Sequence, residues 1–106
     1  MSLLFVSYAQ DTKDFVTIQI TRMVAKFLLE NVTVPLAKKV ADEDFLMQAE
    51  VDLMDKNYSL DRFDDAQFNE AYDLIYKNRN NPILVPYVDE LLAVMQADPR
   101  FETAHA

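Results

Sequence analysis

Eighteen carboxylates and a single histidine are the main candidates for acid, base or metal-ligand chemistry in this 106-residue chain. Eleven of the carboxylates fall between residues 42 and 73. They include two tight groups, Asp42-Glu43-Asp44 and Asp61, Asp64, Asp65. By residue type, such groups could serve a glycosidase-like acid/base pair or a two-metal centre. Either needs a cleft that desolvates one carboxylate, and a chain this short rarely encloses one. Clustering at helix starts is the simpler expectation. Asp55-x-Asn57-x-Ser59-x-Asp61 has the oxygen spacing that opens an EF-hand loop. The position that requires Gly is Leu60, however, and the position of the closing bidentate carboxylate is Ala66. A polar loop is expected there, with Asp61 or Asp64 capping the next helix, and not a calcium site.

Missing residue types remove further chemistries. The chain has no Gly and no Cys. A P-loop, a G-x-G-x-x-G turn and a nucleophile elbow all depend on Gly. Thiolate zinc sites and Cys nucleophiles depend on Cys. The one histidine, His105, stands next to the C-terminal residue, so a Ser-His-Asp triad would have to be built on the last few residues. No enzyme, cofactor or metal is expected on these grounds.

The elements that carry the carboxylates read as helices. Gly supplies the positive φ of tight hairpins and weakens helix interiors, so its absence favours helices joined by Asn, Asp and Pro. Val16-Thr17-Ile18-Gln19-Ile20-Thr21 alternates like a strand. Val16, Ile20, Met23, Val24, Phe27 and Asn31 nevertheless recur at helical spacing, and Ala25 to Glu30 is strongly helix-forming. One helix over Lys13–Glu30, closed by Asn31, is therefore expected. A second helix follows from Pro35 to Val40. Asp42 can cap a continuation of it or a new helix through about Asp55, with Leu46, Met47, Val51, Leu53 and Met54 as its apolar side. Asp64 and Gln67 have the form of a capping box for a helix to about Asn78, with Phe68, Ala71, Tyr72 and Ile75 inward. The last helix begins between Pro82 and Pro86, carries Tyr87, Val88, Leu91, Leu92 and Met95, and ends at Asp98-Pro99.

The expected fold is all-α, a bundle of four to five amphipathic helices. The alternative is α+β, with an N-terminal β-hairpin of residues 3–9 and 15–21. Either way the length suits one domain over residues 1–106, and residues from about 100 to 106 are expected to fray. No apolar run approaches the ~18–20 residues that cross a bilayer. The opening residues lack the basic leader of a signal peptide, and no cysteine is present to form disulfides. The expected compartment is the cytoplasm.

Charge carries the one positive signal. Residues 1–41 sum to +2, residues 42–73 to −9, and residues 74–106 to −1. A surface of this sign repels nucleic acid and anionic membranes and attracts basic protein surfaces. Solvated helix faces and dipole-favouring first turns would explain many of the same residues. Tyrosine brings large contact area with little entropy to lose, which adds Tyr58, Tyr72 and Tyr76 to consideration. Tyr72 is also expected in the core. The candidate partner-binding residues are Asp42, Glu43, Asp44, Tyr58, Asp61, Asp64, Asp65, Glu70, Asp73 and Tyr76. In size, acidity and lack of cysteine the chain resembles bacterial toxin-immunity proteins, antitoxins and phage-encoded inhibitors. That resemblance implies a non-catalytic domain that binds a basic protein partner. The alternative is an assembly subunit, a homo-oligomer whose apolar residues 2–9 pack between protomers. Phe5-Val6-Ser7-Tyr8 with Asp11 and Asp14-Phe15-Val16 is similar to the opening of TIR domains. It covers about a dozen residues and brings no catalytic residue. Those domains are longer and built on a parallel sheet, which the helical remainder here does not match.

Overall fold

The computed structural model describes residues 3–7, 16–40, 43–60, 63–98 and 100–101. It holds strands β1 (Leu3–Ser7), β2 (Val16–Ile20) and β3 (Asn57–Ser59). Its helices are α1 (Arg22–Leu28), α2 (Val34–Val40), α3 (Glu43–Met54), α4 (Asp65–Lys77) and α5 (Val88–Gln96). The architecture is α+β, not all-α. β1 lies at the centre of a mixed sheet of order β2-β1-β3, antiparallel to β2 and parallel to β3. The hairpin alternative for the N-terminal region therefore fits.

The expected Lys13–Glu30 helix is overturned by the period-2 pattern within it. Residues 16–20 pair with β1 in the register Leu3↔Ile20, Phe5↔Ile18, Ser7↔Val16. Ile20 is buried while Thr17 and Gln19 face solvent. The alternation thus satisfies one buried and one wet face, which is what a strand requires. Helix α1 starts only at Arg22, after Thr21 takes an extended conformation and accepts the Val24 amide at 3.2 Å. At the other end Asn31 does not close the helix. A π-helical turn, Leu29–Thr33, carries the chain into α2, and the Val34 amide reaches back to Leu29 O. Pro35 lies in the first turn of α2 and has no N–H to donate. The ladder widens by one residue just ahead of it.

Absence of glycine does not forbid this sheet, because the turn into β3 takes its positive φ from a lysine. The β1–β2 connection covers residues 8–15, and the approach to β3 is made by Lys56 at φ 65°. A left-handed lysine costs about 1–2 kcal/mol. The Leu4 amide bonds to Lys56 O at 3.0 Å and fixes the turn where β3 joins β1. The segment expected as a polar loop is therefore partly a strand. Tyr58 points inward from it between half-buried Asn57 and Ser59.

The core lies between the inner face of the sheet and the helices. Phe5 stacks on Tyr58 with centroids 5.8 Å apart, and both are buried with Leu28, Leu36, Phe68 and Leu91. Phe68, Ala71, Tyr72 and Ile75 of α4 are all buried, as their spacing predicts. Val88, Leu91 and Met95 of α5 are buried as well, while Tyr87 and Leu92 are partly so. After α5 the chain is tied down by Arg100. Its guanidinium bonds to Asp98 at 2.8–2.9 Å, to Leu60 O at 2.5 Å and to Phe63 O at 2.9 Å, and lies 4.4 Å from the Phe68 ring centroid. Among the described residues, no helix is long and apolar enough to cross a membrane.

Candidate functional site

Capping chemistry accounts for part of the acidic segment. Asp64 accepts the Gln67 amide at 2.7 Å, and the Gln67 side chain accepts the Asp64 amide at 3.0 Å. Asp65 follows in the first turn of α4, where a negative charge meets the positive end of the helix dipole. Both residues remain exposed. The capping box thus fixes where they stand without covering them.

Helix α3 carries further carboxylates. Glu43, Asp44, Glu50 and Asp52 lie along it with no Lys or Arg between residues 43 and 54. Asp44 and Glu50 are exposed, Asp52 is half-buried and accepts a bond from Gln48 at 3.5 Å, and Asp55 is exposed just beyond the helix. The Phe45 and Phe63 rings meet with centroids 5.2 Å apart. That contact sets the first turn of α3 beside the start of α4. Asp44 and Asp64 are the sequence neighbours of those two rings.

The remaining candidate residues have other surroundings. Tyr58 is buried, and its hydroxyl shares a 2.8 Å hydrogen bond with buried Thr33. Burial pushes its phenol far above the ordinary tyrosine range, and the Thr33 bond offsets only part of this. Tyr58 is a core residue, so it does not belong to a binding face. Glu70, Asp73 and Tyr76 line an open groove of about 590 Å³ together with Lys39, Lys77 and Arg79. Glu70 is ion-paired to Lys39 of α2. The Tyr76 ring is covered by the Arg79 guanidinium at 4.1 Å and stacks on Tyr72 at 6.3 Å. Two acids against three bases make this groove mixed in charge, not acidic. Glu43 lies in the first turn of α3, while Asp42 and Asp61 fall outside the described residues.

Helix α3 also differs from expectation in its packing. Phe45 and Leu53 pack against the core, but Met47, Val51 and Met54, expected on its apolar side, face solvent. By the 100° step of a helix its apolar residues fall into two groups, Phe45, Leu46, Ala49 and Leu53 on one side and Met47, Val51 and Met54 on the other, and packing decides which group is buried.

Among the described residues, no cluster of three or more His, Cys, Asp or Glu is placed to hold a metal ion, and every buried side-chain nitrogen and oxygen has a hydrogen-bond partner. Of residues 2–9, read as an interface between protomers in the assembly-subunit alternative, residues 3–7 form the central strand and the others lie outside the described residues. Leu3 and Phe5 are buried in the protein's own core. Comparison with protein-family models, curated proteins and solved structures finds no match.

Proposed function

We propose that this protein is a non-catalytic interaction domain that binds a basic protein partner through α3 and the start of α4. The observation that carries this is the one-signed helix α3, which sets four acidic residues against no basic one. Asp64 and Asp65 extend the same sign across the Phe45–Phe63 contact. Elsewhere on α4 the acids are interleaved with Lys39, Lys77 and Arg79. The field that steers a cationic surface therefore centres on residues 43–65. The kind of protein this favours is an immunity protein, antitoxin or inhibitor, acting in the cytoplasm, where a chain without disulfides is at home.

The test is binding of a fluorescent oligolysine peptide, with a single-stranded oligonucleotide as the opposite-sign control. The peptide should bind at low salt and weaken steeply as salt rises, and the oligonucleotide should not bind. The double substitution Asp44→Lys/Asp65→Lys should weaken peptide binding and flatten its salt dependence. Peptide affinity unchanged by that substitution would contradict the proposal.

A further inference from the structure

We infer that the outward face of α3 docks a basic amphipathic helix of the partner, with Met47, Val51 and Met54 as the apolar seam. This rests on the basic-partner reading above and adds the shape and chemistry of what binds. The three residues are spaced i, i+4, i+7, so they form one stripe about 10 Å long. They are 58 %, 43 % and 82 % exposed. Single exposed apolar residues need no explanation, but a contiguous stripe marks an interaction surface. Two of the three are methionines, whose unbranched, polarisable side chains adapt to a partner's surface.

The rim identifies the occupant. By the 100° step of the helix, Glu50 flanks the stripe on one side and Asp44 on the other, and Asp55 follows Met54 at the C-terminal end. All three are exposed. A second copy of this chain using the same face would set carboxylates against carboxylates. A helix with an apolar stripe bordered by Lys or Arg would match both the seam and the rim, the usual pattern of helix recognition on an apolar surface.

The probe is a synthetic Leu/Lys peptide of about four helical turns, with leucines at i, i+3, i+4 and i+7. A scrambled peptide of equal composition serves as control. Fluorescence anisotropy with the full chain should show the amphipathic peptide binding at least about tenfold tighter than the scrambled one. The substitution Met47→Ser/Met54→Ser should abolish that preference. Its melting curve should match the parent's, since both side chains are exposed. Glu50→Gln/Asp55→Asn should weaken both peptides and flatten the salt dependence, while Asp89→Asn/Glu90→Gln, the same charge change on α5, should leave affinity within about twofold. Equal affinity for the two peptides, or a preference that survives Met47→Ser/Met54→Ser, would overturn the docking site and leave the basic-partner reading standing. Failure of both peptides to bind at low salt would overturn the basic-partner reading itself. Sedimentation of the chain alone should show a monomer. A dimer that Met47→Ser/Met54→Ser dissolves would assign the stripe to a second copy and overturn the inference.

Discussion

Replacing Arg100 with Ala should be among the most destabilising single changes in this protein. The Arg100 and Asp98 side chains are 5 % and 1 % exposed and bonded to each other. Arg100 also donates to two backbone carbonyls, Leu60 O and Phe63 O, and its own carbonyl accepts from buried Asn69 at 2.9 Å. The contact therefore joins the chain after α5 to the segment between β3 and α4. Arg100→Ala strips the guanidinium from a buried carboxylate, a loss of about 3–5 kcal/mol. Against a total stability of about 5–15 kcal/mol that is a large fraction. Asp98→Ala should cost less, because Arg100 keeps both carbonyls and the face of Phe68. The double variant Asp98→Ala/Arg100→Ala should fall short of the sum of the singles by about 1–3 kcal/mol, since it leaves neither charge alone. Arg100→Lys should not restore stability, because an ammonium cannot bond a carboxylate and two carbonyls with one planar fork. Urea unfolding followed by circular dichroism would measure these values. A loss under about 1 kcal/mol for Arg100→Ala, or strict additivity in the double variant, would refute the reasoning.

Tyr58→Phe should cost about 1–3 kcal/mol by leaving the buried Thr33 hydroxyl without its partner, and Tyr58→Phe/Thr33→Val should recover part of the loss in thermal melts. Because burial raises the Tyr58 pKa, its contribution to stability should be constant below about pH 10, the unfolded value. It should fall as pH rises beyond that point, and an alkaline titration of Tyr58→Phe should show a smaller fall than the parent. Asp64→Ala should cost about 1 kcal/mol in urea unfolding through loss of the capping box. Lys39→Ala should change stability by no more than about 1 kcal/mol in the same assay, because its ion pair with Glu70 is solvent-exposed.

Local rules were legible where one signal dominated. The Asp64–Gln67 capping box and the inward face of α4 follow directly from residue spacing. Residues 16–20 carried two signals at once, and which one prevailed depended on β1 being available to pair, a contact no local window contains. The missing glycine misled for a related reason. It restricts tight turns, yet here the turn into β3 takes its positive φ on Lys56. At the candidate site, the charge of α3 was readable from composition alone. That Tyr58 is buried, that Lys39 and Arg79 temper the acids of α4, and that Met47 and Met54 face outward all depend on packing between distant segments.

The central claim is that residues 43–65 form the surface that receives a basic partner. The most direct measurement is a titration of the isotope-labelled protein with the amphipathic Leu/Lys peptide, followed by amide chemical shifts. Shifts should concentrate on α3, on Asp55 just beyond it, and on Asp64 and Asp65. They should be small in α5 and in the groove between Lys39 and Arg79. Shifts centred on Asp89 and Glu90, or on the Glu70–Tyr76 side of α4, would contradict the account.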